Sequence, residues 1–337
     1  MQAPRIDAQT LPPPPGIIGS LRTGFDAIAT HVAVILMPLA LDLLLWLGPR
    51  LNMDRIMQPF LKYIGTSAAS GGLKAEDIHN LLDSLDSSNK FFQAFNLLGM
   101  LRTFPIGISS LMSSVLPTQT PWGAPVVVEI GSPFQLVALM FLLTVTGWML
   151  GGLYFRWVAA IATPGTSPED RTPTGRAVLQ TVFYAVIWSL VVWMVGLPVA
   201  LLLYVAFAIN TLLGEGVLLL LGFLSMWLVV PIFFSPHGIF VRKQNAFASI
   251  LGSFQMTRFT MPTSSLFVLT VFLLGVGLNF LWAVPANTSW LVLVGIFGHA
   301  FITTALLASS FAYYHNMTSW LQTALARLRA GFPGQQA

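Results

Sequence analysis

Residues 178–209 read VLQTVFYAVIWSLVVWMVGLPVALLLYVAFAI, and the way this stretch is threaded decides the fold. As one straight helix it is about 48 Å long at 1.5 Å per residue, whereas the hydrocarbon core of a bilayer takes roughly 20 residues. Gly196 and Pro198 stand in its middle, so it is either one long kinked span or a hairpin of two. Five other blocks are long and apolar enough to cross a membrane. These are Val32–Leu47, extended backwards by Ile28–Thr30, then Pro133–Ile161, Leu212–Phe240, Pro262–Val284 and Ser289–Tyr314.

Loop charges choose between the two threadings. With 178–209 as one span and a cytoplasmic N-terminus, the short inner segments hold Arg5, Arg22, Arg156, Arg171, Arg176, Arg242, Lys243, Arg258, Arg327 and Arg329. The short outer turns, Asn210–Glu215 and Pro285–Thr288, hold no lysine or arginine. Basic residues gather on the cytoplasmic side of short loops, and a seventh crossing puts Arg242, Lys243 and Arg258 outside. The expectation is an all-α, polytopic transmembrane helix bundle of about six spans in the plasma (inner) membrane, with both termini cytoplasmic.

Composition agrees. Of 337 residues 55% are hydrophobic and 8% charged, against roughly 25% charged in a soluble domain. A water-soluble fold of this size has nowhere to hide so much apolar surface. The net charge of +4 is spread thinly, with Arg242-Lys243 as the longest basic run, which leaves no stripe for a nucleic acid. The chain has no cysteine, so disulfides, thiolate metal sites and cysteine nucleophiles are excluded. Its Pro-rich start, residues 1–16, has no apolar signal core, so a retained first span is expected rather than a cleaved leader.

The remaining organisation follows from periodicity. A surface helix and the first span occupy 17–48, a loop 49–132, a five-span bundle 133–316, and an amphipathic helix and tail 317–337. The loop balances six basic residues with six acidic ones. It carries helical stripes at Met53, Met57 and Leu61, at Ile78, Leu81, Leu82 and Leu85, and at Phe91, Phe92, Phe95 and Leu98. Strand propensity appears at Val126–Ile130. It is expected to form a mostly helical extracytoplasmic cap resting on the outer face.

Three segments have the spacing of interfacial helices. The first has Ile17, Leu21, Phe25 and Ile28 on one face, with Arg22 elsewhere. The second, within 243–258, has Phe247, Ile250, Leu251 and Phe254 opposite Gln244, Ser249 and Ser253. The third has Met317, Trp320, Leu321, Ala324, Leu325 and Leu328 opposite Arg327 and Arg329. They either lie in the headgroup layer or dock a partner. Residues 20–25 (SLRTGF) resemble 249–254 (SILGSF), which reflects either an internal repeat or a shared need for a surface helix before a span.

Val229-Val230-Pro231, Gly238-Ile239-Phe240-Val241 and the run Asn245–Phe254 together resemble a pattern in six-span bacterial proteins related to the membrane domain of glycerophosphodiester phosphodiesterases. The resemblance covers about residues 176–314. It implies a six-helix membrane fold, mostly without assigned activity. The soluble phosphodiesterase domain of some members has no counterpart, and the 49–132 loop departs from the pattern.

Ionisable groups inside a membrane are expensive and usually have a reason to be there. Asp42 falls within the first span, where it binds a cation or proton, caps a neighbouring helix, or pairs with Arg50. His299 lies in the last span beside a small-residue face of Gly298, Ala305, Ser309 and Ala312, and hydrogen-bonds a neighbour or serves a function. Glu215 sits at an outer turn. Gly147 and Gly151 form a GxxxG extended by Thr144, a face for close packing. No phosphate-binding loop, HExxH or GxSxG occurs, so no cofactor, metal or enzymatic activity is expected. Two functions remain open: a scaffold or accessory subunit that organises lipid or a membrane-protein partner, and a transporter component with a path near Asp42 and the Gly196–Pro198 break.

Overall fold

The computed structural model describes residues 13–70, 75–163 and 171–330. Arg5, the first twelve residues, 331–337 and the side chains of Ile78, Leu328 and Arg329 lie outside the described residues. The elements in chain order are α1 (Ile17–Thr30), α2 (Leu36–Leu47), β1 (Arg50–Asn52), α3 (Asp54–Ser70), α4 (Ala75–Ala94), α5 (Met112–Val115), β2 (Val127–Glu129), α6 (Pro133–Ala162), α7 (Thr174–Ile209), α8 (Thr211–Phe234), α9 (His237–Val241), α10 (Ala246–Trp282) and α11 (Val292–Ala330). Short 3-10 segments at Val32–Ile35 and Leu97–Leu101 complete them.

Five helices are long and apolar enough to cross a bilayer, and the count is six if α1 and the segment Val32–Leu47 form one broken span. The chain is a multi-pass membrane protein. The break comes at His31, where the path bends by 91°. Ile28–Thr30 therefore closes α1 instead of lengthening the first span. What remains, 32–47, reaches about 24 Å, less than the ~30 Å core. The 178–209 question also resolves: α7 runs as one helix of 36 residues through Gly196 and Pro198.

The helices divide between two compact units, the first made of 1–34, 152–275 and 302–337, the second of 35–151 and 276–301. The first unit is held by an aromatic core. Phe234 stacks on Phe267 and Tyr313, and Phe267 stacks on Tyr313 with ring centroids 4.2 Å apart. Ile17, Leu21 and Trp320 pack on the same cluster. Gly24 of α1 lies so close to Ser309 of α11 that a Cβ there meets the Ser309 backbone, and the Ser309 hydroxyl donates to Leu21 O at 3.3 Å. The small-residue face on α11 thus admits α1. No break separates the last span from the amphipathic segment 317–330, since α11 runs unbroken for 39 residues.

α10 changes direction at Thr260, whose φ of −122° and ψ of 15° are not helical. The part before the kink carries the two opposed faces that the spacing predicts. Ser249 and Ser253 are fully buried, while Phe247, Leu251 and Phe254 are exposed. The Ser249 hydroxyl donates to Ser235 O at 2.6 Å and that of Ser253 to Pro231 O at 2.5 Å, at the end of α8, where carbonyls lack helical partners. The polar stripe grips protein and the apolar stripe faces outward.

The second unit contains α2, the loop and the neighbouring parts of α6, α10 and α11. α3 and α4 pack on each other. The strand expected near Val126–Ile130 forms as β2 and pairs in parallel with β1, Leu51 opposite Val128. Trp46, Trp122 and Trp290 meet edge to face, and Trp46 Nε1 donates to Asn287 O at 2.9 Å.

Candidate functional site

The segment 97–117 does not rest on an outer face as a cap. Wherever a membrane-spanning run of roughly 20 residues is set within the 30 residues of α6, it includes residues 143–152. Gly147 and Gly151 therefore lie at hydrocarbon depth, and both touch this segment. A Cβ on Gly147 stands 2.6 Å from Thr103 Cγ2, and one on Gly151 stands 2.7 Å from Gly107 Cα. The GxxxG face thus receives a loop, not a helix. Leu97, Ile106 and Leu111 of that loop are fully buried.

Irregular backbone at this depth must satisfy its own polar groups, because lipid offers no hydrogen bonds. Asp42 does so. It is fully buried, and its carboxylate accepts the Ser110 hydroxyl at 2.5 Å, Leu111 N–H at 3.1 Å and Met112 N–H at 2.9 Å. This is the N-terminal end of α5, so Asp42 caps a neighbouring helix in the manner of an N-cap side chain. Asp42 and Arg50 do not pair: the Arg50 guanidinium donates to Gln93 O and Ala94 O. Asn96 Oδ1 accepts from both Leu51 N and Leu98 N, at 3.1 Å each.

Beside this loop lies a cavity of about 380 Å³, within the size range of small-ligand sites. Arg102, Asn96, Thr103, Ser113, Thr144 and Trp148 supply its polar lining, and no acidic side chain faces it. The Arg102 guanidinium donates to the hydroxyls of Ser113 at 3.0 Å and Ser114 at 2.9 Å. Among the described residues no carboxylate is in ion-pair contact with it; the three ion pairs found are Arg22–Asp26, His79–Asp83 and Lys90–Asp86. Asn96 is 8% exposed, and its Nδ2, like Trp148 Nε1, has no hydrogen-bond partner. Sequence reading passed over this site. In the sequence Arg102 is one of six basic residues of the 49–132 loop, and nothing in the local pattern shows that the loop packs on α6.

The other candidates stand elsewhere. His299 is 7% exposed, and a Cβ on its neighbour Gly298 meets the Trp282 ring. Glu215 is exposed on α8. Asp42, His299 and Asn279 do not line the 380 Å³ cavity. Ala305 is fully buried. Arg22, Arg171, Arg176, Arg258 and Arg327 are exposed, and Arg242 and Lys243 half-buried. All seven belong to the first unit, where Arg176 donates to Lys243 O at 2.7 Å. A second polar seam in this unit escaped sequence reading: His237 Nε2 bonds the Ser310 hydroxyl at 2.7 Å, and the Tyr184 and Ser235 hydroxyls meet. Among the described residues no cluster of three or more His, Asp or Glu is placed to hold a metal ion.

Comparison with models of known families, with curated proteins and with solved structures finds no match.

Proposed function

We propose that this multi-pass protein is a membrane scaffold or accessory subunit of the plasma (inner) membrane, with both termini cytoplasmic. The observation that carries the reading is the α7–α8 pair. Only 6% of the most apolar stretch of α7 is buried, and Trp193, Met194, Leu219 and Phe223 are each more than 60% exposed. Two apolar helices that pack chiefly on one another offer a broad surface to lipid and to another membrane protein. Arg242, Lys243 and Arg258, near the outward-facing Phe247, Leu251 and Phe254, favour an anionic headgroup layer beside that part of α10. The relation to the six-span glycerophosphodiester phosphodiesterase-like proteins is part of the same proposal, supported by the Pro231 end of α8 and the surface helix that leads through Thr260 into a span.

A photo-crosslinking residue at Trp193 or Leu219 tests it in native membranes. A discrete protein adduct is expected from both positions, while Lys62 on α3 gives none. Adducts with lipid alone at Trp193 and Leu219 refute the scaffold reading. A second reading, transport, is favoured by one observation, the irregular 97–117 segment at hydrocarbon depth, a feature found where backbone lines a path.

A further inference from the structure

We propose that the cavity beside residues 97–117 binds the anionic headgroup of a phosphate-bearing lipid, with Arg102 as counter-ion. Asn96 has committed its oxygen twice, so only its amino group remains to be satisfied, and Trp148 has only an N–H to offer. These two unpartnered groups both donate, and their residues line one cavity with Arg102. A buried donor without an acceptor is expensive, and an oxyanion supplies acceptors to such donors and a counter-charge to Arg102. An arginine fork matches phosphate geometry in particular.

Depth points the same way. Leu101 and Thr103, on either side of Arg102, lie against Gly147 at the middle of α6; Arg102 itself is exposed and bonded to the Ser113 and Ser114 hydroxyls, and at this depth an ion-pair partner is what it lacks. Asp42 is near enough to attract Arg102, yet its oxygens are held by Ser110, Leu111 and Met112. The rest of the lining, Leu45, Phe95, Met100, Phe104, Met112 and Leu116, is apolar and accommodates the start of an acyl chain. The ligand is thus an oxyanion on a hydrophobic stem. A cation has no acidic side chain to bind here. This inference does not use the α7–α8 surface, so crosslinking there and lipid binding here succeed or fail separately.

The test uses the purified full-length chain in phosphatidylcholine nanodiscs doped with dioleoyl phosphatidic acid, with lipid retention read by native mass spectrometry. Wild type is expected to retain phosphatidic acid over phosphatidylcholine. Arg102→Gln is expected to weaken retention about tenfold, as for one lost charge-assisted contact, and Trp148→Phe, which removes the N–H together with one ring of the indole, several-fold. Lys62→Gln, an exposed charge on α3 outside the cavity, leaves retention unchanged. If Arg102→Gln does not fold, Trp148→Phe decides alone. Retention unaltered in the cavity variants overturns the proposal. Thermal stabilisation by inorganic phosphate alone equal to that by phosphatidic acid overturns the assignment to a lipid.

Discussion

Asp42 is a carboxylate whose purpose is structural, and its partners say what removing it does. Asp42→Ala leaves two buried N–H groups and a hydroxyl without acceptors where water does not reach, so a loss of about 3 kcal/mol is expected. Asp42→Asn keeps an acceptor and is expected to lose less, about 1 kcal/mol. Thermal unfolding in detergent measures both, and equal melting temperatures for wild type and Asp42→Ala contradict the assignment. Sequence alone makes Asp42 conspicuous as a charge in an apolar run, but leaves cation or proton binding, helix capping and pairing with Arg50 all open. What decides is that residues 110–112, some seventy positions away, present N–H groups to it, and no periodicity encodes that. Arg102 shows the converse: charge composition registers it and only the fold gives it a place.

At the scale of elements, hydropathy identified the helices well and their faces less well. The strand at Val127–Glu129 and the helix before the last but one span were readable from spacing and β-branched runs; the bend after α1 was not, because the apolar run continues across it. Nor was the face of α10. In water an apolar stripe points inward; beside lipid it is satisfied outward, so the same pattern permits either orientation. Ser249 and Ser253 settle it by taking carbonyls at the end of α8. Ser249→Ala with Ser253→Ala is therefore expected to destabilise by about 1–2 kcal/mol, whereas Phe247→Ser stays within about 0.5 kcal/mol. Greater damage from Phe247→Ser than from the serine pair, in the same melting assay, contradicts this orientation. Residues 20–25 and 249–254 share more than letters. Ser20 and Gly24 are buried as Ser249 and Ser253 are, and the bends at His31 and Thr260 follow the first serine at the same interval. A small-residue grip followed by a bend is thus used twice.

For the whole molecule, the membrane assignment was legible from composition, because 55% hydrophobic residues with 8% charge have no stable arrangement in water. The number of crossings was less so. It turns on residues 32–47, about 24 Å of helix against a ~30 Å core, a mismatch that bilayer thinning accommodates at modest cost. The second unit, with its loop at hydrocarbon depth, was hidden because contacts between residues 101–107 and α6 join distant parts of the chain. Absence of cysteine makes the decisive measurement direct: single cysteines at Arg22, Gln322, Ser84 and Thr288, labelled by a membrane-impermeant maleimide on intact cells and on inverted vesicles. Six crossings predict that Arg22→Cys and Gln322→Cys label only from the cytoplasmic side, and Ser84→Cys and Thr288→Cys only from the opposite side. Labelling of Arg22→Cys and Gln322→Cys from opposite sides contradicts the account, because the segment 32–47 then enters the membrane without crossing it.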